Sequence, residues 1–141
     1  ERAYYTPTGE PIDLAQVSQN DRFVVVITAT PTELGSGQYM IADPLPAGFE
    51  IENPDLLQGS GVADLSWLTV DPPVHAEART DQYVAAFRFN SLPQTVVTAY
   101  LVRAVTPGSF VLPGATVEDL YRPELRGNMG AAEIEITAPT P

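Results

Sequence analysis

Fourteen prolines and ten glycines are spread along the whole chain of 141 residues, and their spacing leaves no long window for an α-helix. Between these breakers lie short runs of β-branched and aromatic residues, a pattern typical of an all-β sandwich or barrel. The length and a hydrophobic content of 44% suit one domain with a real core. We therefore predict an all-β fold, an antiparallel β-sandwich formed by residues 1–141 as a single domain, with a frayed tail at 138–141.

The strongest strand patterns cover residues 22–30, 83–90, 95–104 and 132–137. The first of them (RFVVVITAT) is apolar on both faces, which predicts a central strand buried on both sides. Weaker strands are predicted at 3–6, 38–43, 48–52, 76–79, 108–112 and 116–117. Two segments lack the pattern: 54–73, whose Trp67 we expect to cover the core, and 117–126 (VEDLYRPELR), which predicts a short helical turn or an ordered loop.

The charge balance excludes several classes of partner and chemistry. Seven basic residues, all arginine, against eighteen acidic residues give a net charge of -11, which disfavours nucleic-acid and anionic-membrane partners. The absence of cysteine excludes disulfides and thiolate metal sites, and the absence of lysine excludes Schiff-base and Walker-type chemistry. We predict no metal and no cofactor.

Catalytic motifs are also missing. His75 is the one imidazole in the chain, and no Gly-x-Ser-x-Gly elbow accompanies it. Glu118, Asp119 and Glu124 include a possible hydrolytic pair, but their spacing matches no known arrangement, and a solvated acidic surface explains them better. The chain is therefore predicted not to be an enzyme by itself, and the hydrolase reading that uses His75 stays as a third hypothesis.

Tyr121 differs from the other aromatic residues because it lies in the least strand-like segment, beside Arg122 and Pro123. An aromatic side chain on a charged, proline-stiffened loop is a candidate contact with another surface. The alternative is that Tyr121 folds back on its own sandwich, since aromatic side chains also anchor loops.

Two stretches resemble one known family. Residues 100–126 (YLVRAVTPGSFVLPGATVEDLYRPELR) are similar to a signature near the C-terminus of bacterial alpha-2-macroglobulins, and residues 43–54 (DPLPAGFEIENP) match a block of the same family. The Glu-Asp-Leu-Tyr-Arg-Pro-Glu order is the more specific part. The resemblance spans nearly the whole chain, which starts without methionine or signal peptide, and we expect it to be a fragment of a larger protein.

The resemblance implies a macroglobulin-like β-sandwich, related to the fibronectin III architecture, that ends a large periplasmic protein tethered to the bacterial inner membrane. Such proteins inhibit proteases: cleavage of a bait region triggers a rearrangement, and an exposed Cys–Gln thioester acylates a lysine of the attacker. The terminal domain is expected to pack on the thioester domain and shield it from water and amines. The partners implied are the thioester domain, neighbouring macroglobulin-like domains and, through the parent, target proteases.

Within this resemblance, Leu120 and Tyr121 match the hydrophobic–aromatic pair that approaches the thioester, although relatives often have methionine in place of Leu120. Arg122 and Glu124 complete the predicted interdomain contact, and they either pair within the loop or bridge domains. The alternative function is a structural or adhesive cell-surface β-sandwich repeat with no thioester role.

Overall fold

The computed structural model describes residues 1–31, 37–52, 66–89 and 95–139, and this part of the chain is built mainly from β-strands. A 3-10 turn at Leu14–Gln16 separates the first two strands. The strands, in chain order, are β1 Arg2–Tyr5, β2 Val17–Ser18, β3 Arg22–Ala29, β4 Gly37–Pro44, β5 Phe49–Ile51, β6 His75–Ala78, β7 Gln82–Phe89, β8 Val96–Ala104, β9 Gly108–Leu112, β10 Thr116–Asp119, β11 Arg126–Asn128 and β12 Ala132–Thr137.

The strands form three sheets. One sheet has the order β1-β3-β8-β5, a second has the order β11-β10-β4-β7-β6, and a small third sheet has the order β2-β12-β9. Neighbouring strands are antiparallel except β2 and β12, which pair in parallel. Side chains of all three sheets meet in one buried core, so the sandwich predicted from the sequence is confirmed.

Strand β3 is apolar on both faces because it lies between two hydrophobic clusters. Phe23 and Val25 point into the main core, whereas Val24 and Val26 pack on the opposite face of the sheet. Trp67 covers that second face, and its Nε1–H donates a 3.0 Å hydrogen bond to the Pro7 carbonyl oxygen. Both predictions, a doubly buried strand and a covering tryptophan, are confirmed; residues 54–65 of that segment lie outside the described residues.

Sequence periodicity did not predict β2 and β11, which are two and three residues long. The segment 117–126 also resolves one choice that the sequence left open. Strand β10 runs to Asp119, an ordered loop follows, and β11 begins at Arg126, so the segment is a β-hairpin. Of the two alternatives predicted for it, the ordered loop is therefore correct and the short helical turn is not. Of the predicted frayed tail, residues 138 and 139 are exposed and outside any strand, and residues 140 and 141 lie outside the described part.

A buried polar network links the first two sheets inside the core. The Asp43 carboxylate on β4 is fully buried, pairs with the Arg2 guanidinium of β1 and accepts a 2.5 Å hydrogen bond from the Tyr100 hydroxyl of β8. Burial raises the pKa of Asp43, and the hydrogen bond from Tyr100 and the charge of Arg2 only partly offset that effect. Burial likewise raises the pKa of Tyr100 well above its ordinary value and that of the nearby Tyr4 to about 12.

Candidate functional site

The loop of the β10–β11 hairpin, residues 120–125, is here called the hairpin tip. It presents two large hydrophobic side chains to solvent: Leu120 is 43% exposed and Tyr121 is 75% exposed. Tyr121 therefore does not fold back on its own sandwich, which removes the alternative left open by the sequence. Scattered exposed hydrophobic residues are ordinary, but two adjacent ones on the same loop suit a contact surface.

Asp119, the last residue of β10, anchors the hairpin tip from below. Its side chain is fully buried, and Oδ1 accepts hydrogen bonds from the backbone N–H groups of Tyr121, at 2.8 Å, and Arg122, at 3.2 Å. Oδ2 accepts a 3.0 Å hydrogen bond from Arg122 Nε and lies 3.0 Å from Arg122 Nη2. An aspartate that accepts from the backbone two residues later forms a local turn of defined shape.

The electrostatics of this anchor favour the ionised carboxylate. Burial alone would raise the pKa of Asp119, but hydrogen bonds from the Tyr121 and Arg122 backbone and from the Arg122 guanidinium outweigh it, and the pKa lies below its ordinary value. The ionised Asp119 carboxylate uses both oxygens in hydrogen bonds within the loop. It is therefore poorly suited to the acid/base role that the sequence suggested.

The other residues of the hairpin tip divide between the interior and the solvent. Arg122 forms its ion pair with Asp119 inside the loop, and Glu124 is exposed. Leu125 is half-buried, and together with Tyr39 and Val117 it lines an apolar groove of about 290 Å³ beside the hairpin. The inner side of the tip thus packs on the sandwich while Leu120 and Tyr121 remain on the outer side.

The base of the hairpin is tightly packed at Gly114, where the Met129 N–H donates a 3.0 Å hydrogen bond to the neighbouring Ala115 carbonyl oxygen. A Cβ atom added at Gly114 would lie 1.8 Å from the Met129 carbonyl oxygen, a backbone atom, so Met129 would have to move. A Cβ atom added at Gly130 would meet nothing within 4 Å.

Gly114→Ala is expected to lower the free energy of unfolding by about 1–3 kcal/mol, because the overpacked backbone must shift. Gly130→Ala is the matched control and is expected to change that free energy by less than about 0.5 kcal/mol. Urea unfolding of the chain followed by circular dichroism measures both. Equal stabilities for the two variants would contradict the close approach of Gly114 and Met129.

The remaining candidates for chemistry are not assembled into a site in the described part of the chain. His75 lies on the edge strand β6 with an exposed side chain, and its Nε2 is 3.9 Å from Glu77 Oε2. The described residues hold no group of three or more metal-ligating side chains, and among them no helix has the length and apolar character needed to span a bilayer.

Comparison with known proteins identifies the family. Residues 1–124 match the model of the bacterial alpha-2-macroglobulin MG10 domain. The chain belongs to this family. An alpha-2-macroglobulin of Xylella fastidiosa is 35% identical over 99% of this chain and 9% of its own length, so this MG10 domain spans about a tenth of that relative.

Solved structures of alpha-2-macroglobulins contain a closely similar domain. Salmonella alpha-2-macroglobulin reacted with methylamine superposes with a TM-score of 0.80 and 31% identity over 97% of this chain and 9% of that one. Trypsin-activated alpha-2-macroglobulin from Escherichia coli superposes with a TM-score of 0.79 and 28% identity over 97% of this chain and 10% of that one. The macroglobulin-like fold that the resemblance implied is therefore confirmed.

Sequence reasoning placed Leu120 and Tyr121 in the candidate contact but missed the role of Asp119. It treated Asp119 as a surface acid or half of a hydrolytic pair, because charged side chains are seldom fully buried. The available signal was an aspartate at a strand end, three residues before the arginine that binds it.

Proposed function

We propose that this MG10 domain shields the thioester of its parent alpha-2-macroglobulin before bait-region cleavage, with Leu120 and Tyr121 as the contact. The observation that carries the proposal is the 75% exposure of Tyr121 on a tip held by a buried carboxylate. Aromatic side chains in such positions dominate protein interfaces, because they bury a large area when they dock.

The chemistry of the hairpin tip suits a thioester cover. A thioester is lost when water or an amine reaches it, and an aliphatic and an aromatic side chain exclude both. The chain contains no lysine, so the tip presents no primary amine that the thioester would acylate.

The comparisons support an amine-reactive, protease-responsive parent. One relative was solved after reaction with methylamine and another after activation by trypsin. On this basis the parent traps proteases, and the partners of this domain are the thioester domain and neighbouring macroglobulin-like domains. We further propose that residues 1–141 form one non-catalytic domain without a cofactor, and that the parent is periplasmic and tethered to the inner membrane.

The test is covalent methylamine uptake by the intact, uncleaved parent carrying Tyr121→Ala. Loss of a docked aromatic side chain typically weakens an interface by about 2 kcal/mol, which corresponds to about a 30-fold larger open fraction and a similar rise in uptake rate. Tyr121→Phe retains the ring and is expected to react at nearly the wild-type rate.

Val111→Ala is the matched control, because Val111 is 60% exposed on β9, a strand of a different sheet from the hairpin. It is expected to leave methylamine uptake unchanged. Equal uptake by Tyr121→Ala and the wild type, at equal thermal stability, would refute the shield and leave the domain as a structural scaffold with no thioester role.

A further inference from the structure

The exposed hairpin tip has little packing of its own to hold Tyr121 in one place, since three quarters of that side chain is in solvent. An exposed loop that must order itself on docking loses binding free energy to conformational entropy. A tip that already has its docked shape avoids that loss. The contacts that fix the backbone beneath Leu120 and Tyr121 therefore bear directly on docking.

Those contacts converge on Asp119. Its Oδ1 binds the two backbone N–H groups that follow Leu120, and its Oδ2 binds the Arg122 guanidinium. The carboxylate is itself fixed in place, because the Asp119 N–H donates to the Leu125 carbonyl oxygen at 2.9 Å across the base of the loop.

The adjacent strand β4 completes the support. The Leu120 N–H donates a 2.9 Å hydrogen bond to the Gln38 carbonyl oxygen, so the backbone remains attached to β4 up to the first tip residue. Gly37 lies directly against the carboxylate: a Cβ atom there would approach Asp119 Oδ2 to 3.1 Å. A side chain at Gly37 would therefore crowd the carboxylate of Asp119.

We propose that Asp119 is the positioning residue of the shield, whose buried carboxylate preforms the hairpin tip so that Leu120 and Tyr121 project in the docked geometry. This inference rests on the proposed shielding function. Asp119 makes no contact with the thioester in this scheme and acts through the backbone of Tyr121 and Arg122.

The experiment compares Asp119→Ala, Asp119→Asn and Tyr121→Ala in the intact, uncleaved parent. Loss of hydrogen bonds to a charged group predicts about a tenfold rise in methylamine uptake for Asp119→Ala. Asp119→Asn keeps an oxygen that accepts from the backbone N–H groups but loses the charge facing Arg122, and we expect a smaller rise.

The double variant Asp119→Ala/Tyr121→Ala separates positioning from an independent effect. If Asp119 acts through the docked tip, the double variant takes up methylamine more slowly than the product of the two single-variant increases. Multiplied rates would overturn the proposal. Ile134→Ala is the structural control, because it truncates the core in β12 of another sheet, and it is expected to leave uptake unchanged below its melting temperature.

Amide hydrogen exchange over residues 119–126 of the same parent supplies a direct readout. Asp119→Ala is expected to increase exchange there, whereas Tyr121→Ala leaves the Asp119-bonded amides protected. If Tyr121→Ala accelerates uptake while Asp119→Ala matches the wild type in uptake and exchange, the positioning role is wrong and the shield stands. If Tyr121→Ala has no effect on uptake, the shield itself is wrong, and the positioning role is overturned with it.

Discussion

Asp43→Ala is expected to lower the free energy of unfolding by about 3–5 kcal/mol, one of the two largest losses we predict for this domain. The substitution leaves the Arg2 guanidinium, whose side chain is 4% exposed, without its carboxylate, and it removes the acceptor of the Tyr100 hydroxyl. An unpaired charge and an unpaired hydroxyl then remain in the core, where neither has water to bind.

Glu52→Ala is the matched control, because Glu52 also pairs with an arginine, Arg22, but the two side chains are 18% and 31% exposed. Water replaces the lost partner there, and we expect a cost of about 1 kcal/mol or less. Urea unfolding of both variants measures the difference. A loss for Asp43→Ala no larger than that for Glu52→Ala would show that the Arg2–Asp43 pair contributes nothing through its burial.

Phe23→Ala is expected to cost about 3–5 kcal/mol, because it opens a cavity at the centre of the main core. Phe23 is completely buried on β3, and its ring packs edge-on against Tyr4 at a centroid distance of 6.1 Å and against Phe49 at 5.1 Å. The loss includes both the buried ring surface and these two aromatic contacts.

Phe23→Leu separates cavity formation from aromatic geometry at the same position. Leucine fills most of the space, and we expect a cost of about 1.5 kcal/mol or less. Thermal and urea unfolding measure the stability of each variant. The dependence of the unfolding free energy on urea concentration should be the same for both variants, so that a shift in midpoint reports stability alone. If Phe23→Ala and Phe23→Leu are equally stable, the core has collapsed around the smaller side chain and the cavity argument is wrong.

The four strong local patterns correctly predicted β3, β7, β8 and β12, and the weaker ones correctly predicted every other strand of the described residues except β2 and β11. Residues 132–137 alternate Ile134 and Ile136 with glutamates, and the structure forms β12 over that range with both isoleucines buried. By contrast, the short strands β2 and β11 are defined by their pairing, β2 with β12 and β11 with β10. A segment of two or three residues is too short to show an alternating pattern, so its pairing with another strand cannot be predicted from the sequence.

The candidate site was predictable in part for the same reason. Tyr121 stands out in the sequence because its surroundings are charged and interrupted by proline, and both are local features. Its exposure and the burial of Asp119 were not predictable, because each depends on how the hairpin lies against β4. The Arg2–Asp43 pair joins residues 41 positions apart, and no sequence spacing indicates it.

The all-β class, the doubly apolar strand β3 and the family were therefore all predictable without a structure, because turn breakers, alternation and motif order are local properties of neighbouring residues. The burial of Asp43 and Asp119 and the exposure of Tyr121 became known only from the packing of the sheets and the hairpin. Burial is a property of packing. Asp43 and Asp119 are both fully buried, and each is paired with an arginine, Arg2 and Arg122 respectively, that the folded sheets and hairpin bring next to it.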